Sequence, residues 1–91
     1  MSARVKIKVT GMVQGVGFRY YTYRIAKNLS IKGYVRNQRD GSVEVLAEGE
    51  KPKLIDLISE LRIGPPESKV ENLMVEWQEH KNEYDDFKIL K

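Results

Sequence analysis

Arg19 ends a nine-residue stretch, GMVQGVGFR from Gly11 to Arg19, in which three glycines precede a planar cation. Gly11, Gly15 and Gly17 permit conformations and close approaches that a Cβ would forbid, so successive amide N–H groups can turn inward around an anion. An apolar strand pattern runs into the stretch and a helical pattern leaves it. That helix would add its free N-terminal amides and the positive end of its dipole, while Arg19 offers a fork of donors to phosphate or carboxylate oxygens. The chemistry implied is oxyanion binding. With glycines at 11, 15 and 17, the stretch is not the GxGxxG of dinucleotide sites, and no Gly-Lys-Ser/Thr follows as in a nucleotide P-loop. Val13 stands six residues before Arg19, so there is no counterpart of the nucleophile in a Cys-x5-Arg phosphate loop.

Composition narrows the remaining chemistry. The 91 residues suit one small domain spanning 1–91, 41% hydrophobic and 32% charged. The absence of cysteine excludes disulfides, thiolate metal sites and cysteine nucleophiles. No apolar run approaches bilayer length, and Met1 to Thr10 alternates charge with apolar residues instead of forming a signal peptide; the expectation is a cytoplasmic protein with no membrane partner. A formal charge of +3 with both signs interspersed is not a nucleic-acid stripe. Tyr20, Tyr21 and Tyr23 lie at helical spacing and read as packing aromatics rather than a base-stacking surface. His80, alone in a charged connection, reads as a solvent-exposed residue without a catalytic role.

The elements that must hold the loop follow from periodicity. Arg4 to Thr10 places Val5, Ile7 and Val9 on one face of a strand, and Phe18, Thr22, Ile25, Ala26 and Leu29 form one face of a helix over 18–29. Ser30 and Ile31 resemble a helix exit with a left-handed residue followed by an apolar one. Gly33 to Gln38 and Ser42 to Glu48 are two strands joined by a tight turn at Asp40-Gly41, the second presenting Val43, Val45 and Ala47 opposite Glu44, Leu46 and Glu48. Pro52 opens a second helix with Leu54, Leu57, Ile58 and Leu61 as its stripe, and Gly64-Pro65-Pro66 stops it. Val70 to Gln78 is a further strand with Leu73, Val75 and Trp77 on one face and a parity break at Val70 that predicts a bulge or loop. Phe87 and Ile89 mark a short terminal strand.

This order predicts an α+β domain of ferredoxin-like βαββαβ plan: an antiparallel-type sheet, two helices on one face and a short C-terminal strand. Right-handed crossovers place strand three between strands one and two, so that Arg19 and Asn37 converge at one edge of the sheet, about 10 Å apart in backbone terms.

The segments GMVQGVGFR and GYVRNQRDGSVEVLAEG closely resemble the two signature motifs of the acylphosphatase family, and GPPESKV and DFKI extend the resemblance from about Arg4 to Leu90. The resemblance implies metal-independent hydrolysis of the carboxyl-phosphate bond of acyl phosphates by direct attack of water, without a cofactor. By the same resemblance Arg19 is the phosphate-binding arginine and Asn37 positions the water. The backbone amides of Gln14, Gly15, Val16, Gly17, Phe18 and Arg19 would hold the phosphate, and Thr22 would support the arrangement. The expected partner is a small acyl phosphate, with no nucleic acid and a monomeric chain. Two alternatives share the fold: a non-catalytic phosphate- or anion-binding regulatory module, and an RNA-binding domain. Against the latter, Ser42 to Glu48 carries no aromatic residue for stacking bases.

Overall fold

Alternation of apolar and charged residues builds the centre of the sheet, in a computed structural model that describes all residues from Met1 to Lys91. The elements are β1 (Ser2–Met12), α1 (Phe18–Asn28), β2 (Lys32–Asn37), β3 (Val43–Glu50), α2 (Lys51–Ile63), β4 (Lys69–Gln78) and β5 (Phe87–Ile89). They form one five-stranded sheet in the order β4-β1-β3-β2-β5. Strand β3 therefore lies between β1 and β2, as the crossover rule requires, and β1 and β2 end at the same edge. Val5, Ile7 and Val9 of β1, Val35 of β2 and Val43, Val45 and Ala47 of β3 are fully buried beneath the two helices. Phe18 and Ala26 of α1 and Leu54, Leu57 and Leu61 of α2 pack onto them.

Strand β1 is longer than its pattern predicts because it pairs on both sides, from Ser2 opposite Glu50 on β3 to Met12 opposite Lys69 on β4. The expected irregularity in β4 is present: Thr10 faces Asn72 and Gly11 faces Val70, leaving Glu71 as the extra residue of a bulge. Gly11 there has φ 121°, and a Cβ on it would lie 2.2 Å from the Lys69 carbonyl oxygen. Pairing continues past the bulge to Met12 opposite Lys69, where the chain leaves the ladder for the loop before α1.

Helix α1 stops one residue earlier than its periodicity predicts, and the exit is a Schellman turn. Ser30 N–H donates to the Lys27 carbonyl, Ile31 N–H donates to the Ala26 carbonyl at 2.9 Å, and Ser30 is left-handed with φ 57°. Buried Ile31 supplies the apolar contact that follows such a turn. Helix α2 begins with proline in its first turn and ends at Gly64.

The other face of the sheet differs from the alternating polar surface that the β3 pattern predicts. Glu44 and Glu48 are 4% and 3% exposed. The connection from β4 to β5 runs from one sheet edge to the other, and Glu48 holds it by accepting the backbone N–H groups of Lys81 and Glu83 at 2.9 and 3.1 Å. Arg36 donates to Glu44 at 2.6 Å, and Lys6 lies 3.5 Å from the same carboxylate. Strand β5 then docks parallel to β2, with Gly33 opposite Phe87 and Val35 opposite Ile89, which makes the sheet mixed. On the helix-covered face Trp77 does share a side with Leu73 and Val75, as predicted, but on edge strand β4 it is half-exposed, with the Lys51 ammonium 5.2 Å from its ring.

Candidate active site

The loop between β1 and α1 satisfies none of its own donors. No carbonyl or side chain accepts a hydrogen bond from the backbone N–H groups of Gln14, Gly15, Val16, Gly17, Phe18 or Arg19. Two causes combine. The first N–H groups of any helix have no partner within it, and Gly17, at the N-cap of α1, provides no capping side chain. Gly15 and Gly17 have φ 75° and 80°, which lets the loop curl before the helix starts. No acidic residue lies in the first turn of α1 to compete for these donors. Six consecutive uncommitted amides at the positive end of a helix dipole form a cradle that could hold an anion.

The cradle opens into a cavity of about 630 Å³ lined by Gly15, Gly17, Phe18, Arg19 and Asn37, with Val13, Tyr20, Ile89 and Lys91 on its remaining walls. Its two charged lining residues, Arg19 and Lys91, are both cationic. The Arg19 guanidinium is anchored through Nη1, which donates to the Leu90 carbonyl at 3.0 Å, leaving its other N–H groups for a ligand. Nothing near Arg19 in sequence announces this contact, which depends on β5 docking beside β2.

Asn37 is the last residue of β2, opposite Val43 in the hairpin. Its Oδ1 is buried and has no hydrogen-bond partner in the chain, a costly state for an acceptor unless a water or ligand satisfies it. The hairpin is fastened directly beyond Asn37. Gln38 N–H donates to the Ser42 carbonyl at 2.9 Å, and Ser42 Oγ donates to Gln38 Oε1 at 2.8 Å. Asp40 accepts the Ser42 N–H at 3.0 Å and faces Lys8 at 2.9 Å, and these contacts, Lys8 first, hold its carboxyl well below the ordinary value.

Not every predicted site residue lines the cavity. Val16 is half-buried and packs against the core. Thr22 is fully buried on α1, where its Oγ1 donates to the Phe18 carbonyl at 2.9 Å and braces the first turn from behind. The Gln14 side chain points to the hairpin, donating to the carbonyls of Gln38 at 2.7 Å and Ser42 at 2.9 Å. His80 lies outside the cavity, 4.0 Å from the Glu48 carboxylate.

Comparison with known proteins gives the family and the fold. Residues 5–89 match the family model described as Acylphosphatase. The chain is similar to an acylphosphatase of Thermotoga maritima, 49% identical over 85 residues, with 93% of each chain covered. It is similar to one of Pyrobaculum calidifontis, 47% identical over 88 residues, covering 96% of this chain and 80% of that one. In three dimensions it matches the crystal structure of acylphosphatase from Bacillus subtilis with a TM-score of 0.94, at 36% identity and full coverage of both chains.

Proposed function

The chain belongs to the acylphosphatase family, and from that premise we propose that Arg19 and Asn37 divide one hydrolytic step between them. The enzyme is an acylphosphatase: it cleaves the carboxyl-phosphate bond of a small acyl phosphate to a carboxylate and inorganic phosphate. The cradle amides and the Arg19 guanidinium hold the equatorial phosphoryl oxygens and stabilise their charge in the transition state. Asn37 orients one water in line with the departing carboxylate, by position rather than by basicity. A carboxylate is a good enough leaving group to depart without a general acid, and Val13 occupies the place of a loop nucleophile, so water attacks phosphorus directly.

The observation that carries this reading is the unpartnered Asn37 Oδ1 on a residue that borders the same cavity as the uncommitted amides and Arg19. A monomer is proposed as the active species. Action in the cytoplasm is the part of the proposal that rests on sequence alone.

Steady-state hydrolysis of benzoyl phosphate in EDTA, corrected for spontaneous breakdown, tests it. Arg19→Ala and Asn37→Ala are expected to remain folded and to lose kcat/KM by about 100-fold or more. Acid-quenched turnover should leave no phosphoryl group on the chain. Folded variants that keep wild-type activity, or a trapped phosphoenzyme, would overturn the assignment.

A further inference from the structure

We infer that Gln14 is a positioning residue whose side chain sets the distance between the phosphate cradle and Asn37. The inference rests on the roles proposed for Arg19 and Asn37. Its observation is a single carboxamide that spends both of its hydrogens across the site: Nε2 donates to the Gln38 carbonyl at 2.7 Å and to the Ser42 carbonyl at 2.9 Å. Gln38 follows Asn37 directly in the chain, and Ser42 precedes Val43, the residue opposite Asn37 in the hairpin. The two acceptors therefore face each other one step beyond Asn37 and Val43, at the turn end of the hairpin that carries Asn37. The donor belongs to the first residue of the cradle that would grip the phosphate.

Val13 and Val16 pack the loop onto the core, but no backbone hydrogen bond donated by the loop fixes its path. Residues 13–17 lie between β1 and α1 in no regular element, and their N–H groups bond nothing in the chain. A Cβ placed on Gly15 or Gly17 would meet no atom within 4 Å, so neighbouring walls do not brace the loop there either. Cradle and water-bearing residue come from β1 and β2, which are separated by the whole width of β3. In-line attack depends on their spacing, since a displacement of about 1 Å can cost roughly 100-fold in rate. The Gln14 side chain joins the two halves without touching the reacting atoms.

Loss of this tie should not unfold the protein. The Ser42 carbonyl also accepts Gln38 N–H at 2.9 Å, and the Gln38 carbonyl accepts Gly41 N–H at 3.1 Å, so each keeps a partner when Gln14 is removed. Phosphate binding should survive too, because the amides and Arg19 remain.

The test is Gln14→Met, which keeps length and volume but has no donor, beside Gln14→Lys, whose ammonium can donate to two carbonyls at similar reach. The readouts are kcat and KM for benzoyl phosphate, the inhibition constant of inorganic phosphate and the thermal midpoint. Gln14→Met is expected to lose kcat by about 10- to 100-fold while phosphate inhibition stays within about threefold, and Gln14→Lys to recover kcat to within about threefold of wild type. The inference fails if Gln14→Met keeps kcat within about twofold, loses kcat and phosphate affinity together, or does not fold. It fails equally if Gln14→Lys restores nothing. Arg19→Ala and Asn37→Ala in the same assay separate the two levels: activity retained there overturns the underlying reading, and activity lost there with Gln14→Met unimpaired overturns the inference alone.

Discussion

At the scale of residues, the site economises on side chains by using backbone donors. Amides cannot rotate away or lose a proton, so a cradle of six needs only one cation to complete it. In the proposed mechanism that cation does two things at once: Arg19 donates one N–H to the Leu90 carbonyl and offers the rest of a rigid planar fork to the phosphoryl group. Lysine carries the same charge as a point at the end of a flexible stem. Arg19→Lys should therefore fold normally and lose kcat/KM by about 100-fold, measured with benzoyl phosphate. A loss smaller than about tenfold would mean that charge, rather than the anchored fork, is what the reaction uses.

At the scale of elements, the caps decide where the functional groups fall. Gly17 at the N-cap of α1 leaves its first amides free. The other end of α1 has a stability cost of its own. Ser30 sits at φ 57° in a Schellman turn, where a side chain is strained and glycine is not. Ser30→Gly should raise stability by up to about 1 kcal/mol, or roughly 4 to 8 °C in a domain of this size, without altering kcat. An unchanged or lower melting temperature would show that the serine is not strained there.

At the scale of the whole molecule, the face of the sheet away from the helices holds the C-terminal connection through charge. Burial pushes the Glu48 carboxyl upward, but the N–H groups of Lys81 and Glu83 and the charges of His80 and Arg4 outweigh it, and the net shift is below the ordinary 4.5. A carboxyl whose value is lowered by folding stabilises the fold fully above its unfolded value and loses that contribution as pH falls through the folded one. Asp40, held down by Lys8 and Ser42, acts with the same sign. The melting temperature should therefore fall as pH drops below about 4.5. Glu48→Gln should be less stable than wild type at pH 7, and the gap between them should close towards pH 2 to 3. A gap that stays constant with pH would remove Glu48 from the acid response.

Much of this was legible in the linear order of residues, because its causes are local. The period-two runs of β1 and β3, the stripes of the two helices, the left-handed exit at Ser30 and the glycine-lined turn before α1 each depend on neighbours a few positions away. The βαββαβ order, with the handedness of its crossovers, brought Arg19 and Asn37 to one edge before any contact was known. What tertiary structure alone decided are pairings between distant parts of the chain. Arg19 meets a carbonyl 71 residues away, Gln14 meets the hairpin 24 and 28 residues on, and Glu48 binds amides 33 and 35 residues beyond it. The burial of Glu44 and Glu48 is of the same kind, since alternation names the face of a strand and not what will lie over it. A hydrogen bond forms between whichever groups packing brings within about 3 Å, and the period of a sequence carries no record of that distance.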